Sequence, residues 1–161
     1  MARLLIVHHS PTAAVRALTD AVVAGAHDDQ VEGVEVTVVP ALEATAADVV
    51  AADGYLLGTT ANFGYMSGAL KHFFDTIFLE AGGALSDDGS AGATTGGKRP
   101  FGLWVHGRYD TTGAVRSVLA IAGALPWTRA AEVLAVVGDV GAEQEAAAYE
   151  LGGTLAAVLM E

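Results

Sequence analysis

Apolar and polar positions along this chain change period again and again, from runs to helical spacing and back. Arg3 to Val7 is an almost unbroken apolar run, as expected of a strand covered on both faces. His8-His9-Ser10-Pro11-Thr12 breaks it. From Ala13 the spacing of Val15, Leu18, Val22 and Ala26 is helical, with Pro11 just ahead, where a first turn tolerates it. Val34-Glu35-Val36-Thr37-Val38 alternates and predicts a half-exposed edge strand. Thr45-Ala46-Ala47-Asp48 has the form of a capped helix start, and this short helix ends before Asp53-Gly54. Tyr55-Leu56-Leu57-Gly58 predicts a third, buried strand. Thr59 to Tyr65 shows no period, so a polar loop is expected there. Helical spacing then resumes at Met66, Leu70, Phe73, Phe74, Ile77 and Phe78.

Beyond Phe78 the pattern thins out. Ala81 to Gly97 carries Gly82, Gly83, Gly89, Gly92, Gly96 and Gly97 with almost nothing to bury, so residues 82–99 read as a mobile loop or lid near a ligand crevice or a subunit contact. Inside it Gly92-Ala93-Thr94-Thr95-Gly96-Gly97-Lys98 mimics a nucleotide P-loop. That reading fails, because Arg99 stands where Ser or Thr is required and Pro100 leads into a strand, not a helix. Lys98 then reads as a surface residue. Phe101-Gly102-Leu103-Trp104-Val105 predicts the fourth strand, with His106 to Gly113 as its carboxyl-end loop. Thr112 is a candidate cap for a helix carrying Val115, Val118, Leu119 and Ala122, which stops before Pro126. Glu132 to Val137 predicts an uninterrupted fifth strand, and Gly141 to Met160 a last helix with Leu151, Leu155, Val158 and Leu159 inward. Five strands alternating with helices imply an α/β fold: one domain over residues 1–161, a doubly wound parallel sheet with helices on both faces.

Composition narrows the function. The 161 residues are 52% hydrophobic, yet the apolar runs are far shorter than a membrane helix needs, so no membrane insertion is expected. The amino terminus turns polar at His8, too early for a signal peptide, which points to the cytoplasm. Zero cysteines exclude disulfides, thiolate-held iron–sulfur clusters and thiol catalysis, so a redox role requires a bound cofactor. Eight basic against 19 acidic residues, net −11, argue against nucleic acid, since only Lys98-Arg99 sit together. The acidity reads as a solvated surface, with steering toward a basic redox partner as the alternative.

Three polar loops then carry the candidate chemistry. In an open parallel sheet, ligands bind beyond the carboxyl ends of the strands. Thr59 to Tyr65 offers hydroxyls, an amide, backbone N–H groups and an aromatic face, a mixture suited to a flat heterocycle; an ordinary strand-to-helix connection is the other reading. Ser10 and Thr12 precede a helix start whose free N–H groups favour an anion, an ordinary cap being the alternative. No Gly-x-Gly-x-x-Gly follows the first strand, which disfavours dinucleotide binding there. A phosphorelay receiver would need an acidic pair where His8-His9 stand and an Asp where Thr59 stands.

The run Asn62-Phe63-Gly64-Tyr65-Met66-Ser67-Gly68, followed by Lys71, Phe73 and Asp75, resembles the flavin loop of flavodoxin-like oxidoreductases. These include the NAD(P)H:quinone reductases of the tryptophan-repressor-binding-protein type. The resemblance implies a strand order 2-1-3-4-5, with Thr60, Ala61, Asn62, Phe63 and Gly64 contacting the isoalloxazine ring of FMN. Lys71 and Asp75 read as a surface pair at i and i+4. It also implies that Ser10 to Val15 is the FMN phosphate loop, similar to the family's Ser/Thr-x-Thr-Gly-x-Thr. Ala13 replaces Gly there, and Ala14 and Val15 replace small polar residues, each lost hydroxyl costing about 1 kcal/mol, so FMN is expected to bind weakly. His106, Gly107, Arg108, Tyr109 and Asp110 would flank the flavin, with Tyr109 stacking on it, while His106 by itself reads as a structural histidine. Arg108 is the one Arg or Lys in the three loops as bounded here. As a cation beside the ring it would favour hydride chemistry, with Gly107 and Gly113 leaving room for a nicotinamide or quinone; pairing with Asp110 is the alternative. Arg108, His106 and Tyr109 are thus the candidate reactive residues. The implied function is an FMN-dependent oxidoreductase passing electrons from NAD(P)H to a small-molecule acceptor such as a quinone. The alternatives are a one-electron carrier and a flavin-free interaction domain, and a homo-oligomer is left open.

Overall fold

The computed structural model describes residues 1–83, 87–88, 92 and 98–160. Its order is β1 (Ala2–His8), α1 (Ala13–Ala26), β2 (Val34–Pro40), α2 (Ala46–Ala51), β3 (Gly54–Asn62), β4 (Tyr65–Met66), α3 (Gly68–Ile77), β5 (Pro100–Gly107), α4 (Thr112–Ala124), β6 (Thr128–Arg129), β7 (Leu134–Val137) and α5 (Ala142–Val158). β1 pairs in parallel with β2 on one side and β3 on the other, β3 pairs with β5, and β5 carries β6 and β7 along its outer edge. The order β2-β1-β3-β5-β6/β7 is the expected 2-1-3-4-5 with the fifth position divided in two.

Alternation along each strand separates two cores. Leu4 and Ile6 of β1, Leu56 of β3 and Trp104 of β5 face α1 and α5, where Leu18, Val22 and Leu155 cover them. Leu5, Val7, Tyr55, Leu57, Leu103 and Val105 face the other way, under Phe73 and Phe74 of α3 and Val118 of α4. Trp127, just after α4, closes this second core by stacking on Tyr55 with ring centroids 4.0 Å apart. Among the described residues no helix is long and apolar enough to cross a membrane.

Local signals are realised closely at two helix starts. Thr45 accepts from Asp48 N, and the Asp48 carboxylate accepts from Thr45 N at 2.8 Å, a complete capping box on α2. Ser67 caps α3 by accepting from Leu70 N at 3.1 Å, so that helix begins at Gly68, two residues later than Met66 suggested.

Three expectations are corrected. The polar stretch from Thr59 is not a loop: Thr59 to Asn62 prolongs β3, with Thr60 paired to His106, and the chain folds back at once through β4, Ala61 opposite Met66. The fifth strand is not uninterrupted. Phe101 pairs with Arg129 and Trp104 with Leu134, so two residues of β5 face four on the edge, and the edge must bulge between Ala130 and Val133. Nor does Thr112 cap α4: Thr112 is its first residue, and the Asp110 carboxylate accepts the Thr112 N–H at 2.9 Å. Of the expected lid, residues 84–86, 89–91 and 93–97 lie outside the described residues, which removes most of the P-loop mimic as well. Lys98 is exposed, and Arg99 turns inward to the Val49 carbonyl at 3.0 Å and the Tyr55 hydroxyl at 2.8 Å.

Candidate functional site

Parallel pairing puts the chain exits of β1, β3 and β5 on one edge of the sheet. The crossover from β1 leads outward to β2, while the next returns to β3 on the other side, so a crevice opens between β1 and β3.

At the β1 exit, polar side chains bond one another. Ser10 Oγ lies 2.8 Å from His8 Nδ1 and 2.8 Å from Thr19 Oγ1, and Thr19 accepts from Trp104 Nε1 at 3.2 Å. Thr12 is the N-cap of α1, accepting from Val15 N at 3.3 Å. Ala13 is exposed and Ala14 half-buried; as the first two residues of α1 they have no intrahelical acceptor for their N–H groups. Val15 is buried and its N–H belongs to Thr12, so of the expected phosphate-loop residues it faces the protein. Arg16 folds back over this loop, its Nη1 donating to the Pro11 carbonyl at 3.2 Å.

The β3 exit is a hairpin. Phe63 and Gly64 form its two-residue turn with φ of 50° and 79°, the left-handed pair that a type I′ turn needs and that Asn-Gly usually supplies. A phenylalanine there is held at a cost of roughly 1–2 kcal/mol, and its side chain is fully exposed. Asn62 and Gly64 are exposed and Ala61 is half-buried. Thr59 accepts from Ser67 N at 3.0 Å and so anchors the base of the hairpin. Thr60 is 6% exposed, and its hydroxyl has no partner among the described residues. The hairpin leans on α4: Met66 N donates to Ser117 Oγ at 3.3 Å, and a Cβ on Gly113 would stand 2.0 Å from the Gly64 carbonyl oxygen. Gly113 therefore permits close backbone approach and leaves no open space for a substrate, contrary to expectation.

At the β5 exit, His106 Nε2 donates to the Gly138 carbonyl at 2.7 Å, tying β5 to the loop before α5 as a structural histidine would. Gly107 is buried and its carbonyl accepts from Gly138 N. Arg108 reaches Asp139 at 3.8 Å, not Asp110; both groups are exposed, so the pair contributes little. Asp110 is engaged with the Thr112 N–H, which holds its carboxyl below the usual range. Tyr109 is 87% exposed.

No family model matches the chain. A curated flavodoxin from Aquifex aeolicus is 32% identical over 85 residues, which is 53% of this chain and 45% of that protein, so the match spans just under half the relative's length. Among solved structures, a flavodoxin from the domain Archaea superposes over 99% of both chains with a TM-score of 0.79 at 13% identity. The fold is flavodoxin-like. The flavodoxin WrbA-like protein from Agrobacterium tumefaciens shares it, with a TM-score of 0.72 over 99% of this chain and 98% of that one at 16% identity.

On this flavodoxin-like frame the structure gathers the predicted residues of all three loops at one edge, except that Val15 is turned inward. It adds residues that sequence reasoning missed. Arg16 places a second cation by the loops, a position readable from its place in the first turn after Thr12. Thr19 of α1 and Ser117 of α4 hold the loops from neighbouring helices, and nothing local signals them; Ser67, the cap of α3, holds the base of the hairpin. Depressions of 260 Å³ beside Arg3 and Asp48 and of 580 Å³ beside Asp28 and Tyr149 share no residue with these loops.

Proposed function

We propose that this chain binds FMN at the carboxyl edge of its sheet and transfers electrons from NAD(P)H to a small acceptor such as a quinone. The observation that carries this is the β3 hairpin: a buried Thr60 hydroxyl without a partner, next to an exposed Phe63 held in a left-handed conformation. A buried hydroxyl left unpaired costs about 1–3 kcal/mol, and strained backbone of this kind concentrates at binding sites. A ligand with a polar edge and an apolar face would relieve one cost and justify the other. The residues fit FMN in that sense. The N–H groups of Ala13 and Ala14, with Arg16 beside them, would hold its phosphate; Thr60 to Gly64 would meet the ring edge; Phe63 and Tyr109 offer exposed aromatic faces. FMN supplies the redox chemistry when bound, and the protein's part is to orient it and set its electrostatic surroundings. The names of the curated relative and the structural neighbours support the reading.

A one-electron carrier is the second reading, favoured by the surroundings of Arg108. Asp139 lies 3.8 Å from it and Asp110 stands two residues away, so among the described residues acidic groups accompany the cation on this side of the crevice and weaken its pull toward hydride chemistry.

The test is titration with FMN. A hundredfold excess over Kd should add about 2.7 kcal/mol, raising the melting temperature by roughly 5 to 10 °C, with quenching of flavin fluorescence. No shift and no quenching would leave the flavin-free interaction domain. Turnover of NADPH with a benzoquinone marks the enzyme. Loaded protein that leaves NADH and NADPH unoxidised is a carrier.

A further inference from the structure

The loop after β1 rests on one hydrogen-bonded chain of four side chains, Trp104 Nε1, Thr19 Oγ1, Ser10 Oγ and His8 Nδ1, joined at 3.2, 2.8 and 2.8 Å. Chemistry restricts the direction of its protons. The indole only donates, so Thr19 accepts from it. With His8 neutral and Nδ1 bare, Thr19 donates to Ser10 and Ser10 to His8, and every hydroxyl proton has a taker. With a proton on Nδ1, His8 becomes a donor. Ser10 then accepts from both neighbours, and its own proton needs an acceptor outside the chain. Ser10 is half-buried, two residues ahead of the N-cap of α1.

We propose that His8 is a positioning residue for the flavin phosphate: through Nδ1 it decides whether the Ser10 hydroxyl donates inward to the imidazole or outward to an anion in front of α1. The inference rests on the FMN reading of this site. Few groups face the ring. His9 follows it, Asp20 approaches from α1, and the flanking strands set Pro40 and Gly58 opposite, neither of which titrates. Arg16 bonds the Pro11 carbonyl of the same loop from α1. Burial, then the neighbouring His9, holds His8 below the ordinary imidazole value against the pull of Asp20. In the free protein at neutral pH the ring is uncharged, and in the tautomer with the proton on Nε2 Ser10 donates inward. An anion attracts the imidazolium and accepts the released hydroxyl, and by reciprocity His8 must hold its proton more tightly while the anion is bound.

Sulfate is the probe, because it stays dianionic across the histidine range, whereas a phosphate monoester gains a proton there. The ring nitrogens of His8 are followed by NMR against pH in the whole protein, in chloride and in sulfate at matched ionic strength, with His27 and His72 as internal references. Sulfate should raise the His8 midpoint by about half a unit or more, leaving the references unmoved. Ser10→Ala should reduce that dependence to what direct attraction between the anion and the imidazolium supplies, while His8 still titrates. FMN should act as sulfate does, and riboflavin, without the phosphate, should not. A His8 midpoint equal in chloride, sulfate and FMN, or raised as much by riboflavin, overturns the proposal. Flavin fluorescence separates the two readings: quenching with an unmoved His8 rejects only the positioning role. No quenching, with a Ser10-dependent effect of sulfate, rejects only the flavin.

Discussion

The exits of β1 and β3 lie side by side at the same edge, yet they treat their polar groups in opposite ways. After β1, the Ser10 and Thr12 hydroxyls are both engaged, one in the chain to His8 and Trp104, the other on Val15 N. Backbone N–H groups, Arg16 and the proton of the exposed Thr12 hydroxyl remain to meet a ligand, and Ser10 joins them only by giving up its bond to His8. In the β3 hairpin the reverse holds: Thr60 is buried without a partner, and Phe63 is exposed and strained. The first exit is self-satisfied and preformed, the second incomplete by itself. Substitutions at the two exits should therefore change stability with opposite signs.

The largest effect is expected where the hairpin meets α4. In Gly113→Ala the new methyl would meet the Gly64 carbonyl, a backbone group that cannot rotate away. The cost should be about 1–3 kcal/mol, seen as a drop in melting temperature of roughly 5 °C. An unchanged melt would mean that the hairpin moves away from α4 at no cost, and the comparison would lose its fixed element.

The sharpest contrast is between two hydroxyls. Ser10→Ala removes the partner of His8 Nδ1 and the second partner of Thr19, which keeps its bond from Trp104, and should destabilise by about 1 kcal/mol. Thr60→Val removes a hydroxyl with no partner to lose and should stabilise by about 1 kcal/mol, while weakening FMN. Denaturant unfolding of both variants decides it, and equal signs would break the distinction. A smaller gain follows at the turn. Phe63→Gly relieves the left-handed strain but adds freedom to the unfolded chain, for a net stabilisation of about 0.5 kcal/mol together with weaker FMN binding.

The smallest effect is the pH dependence at His8. Its folded value lies below the ordinary 6.5, so between the two the unfolded chain binds a proton that the folded chain does not. Stability should fall as pH drops through 6.5 and stop falling, from this source, below the folded value. His8→Asn should flatten that part of a stability–pH profile, and a profile identical to wild type would show that His8 titrates alike in both states.

Local spacing along the chain determined the alternation of strands and helices, the two core faces and the rough position of the crevice. Leu4 and Ile6 against Leu5 and Val7, Thr45 with Asp48, and Lys71 with Asp75 at 2.7 Å are all relations between residues a few positions apart, which side-chain period and capping chemistry encode directly. The resemblance around Asn62 to Asp75 supplied the strand order. Tertiary structure decided what those residues face. Thr59 to Asn62 is polar enough for a loop and becomes strand because β5 offers Thr60 a ladder partner at His106. Arg108 meets Asp139 and not Asp110, the nearer along the chain, whose carboxylate turns to the start of α4. Ser10 bonds Thr19 above Trp104, His106 bonds Gly138, and Gly113 abuts Gly64, each pair joined across the fold. A short polar side chain is compatible with loop, cap or buried network alike, and which of these it joins is set by groups that only folding brings within hydrogen-bonding distance.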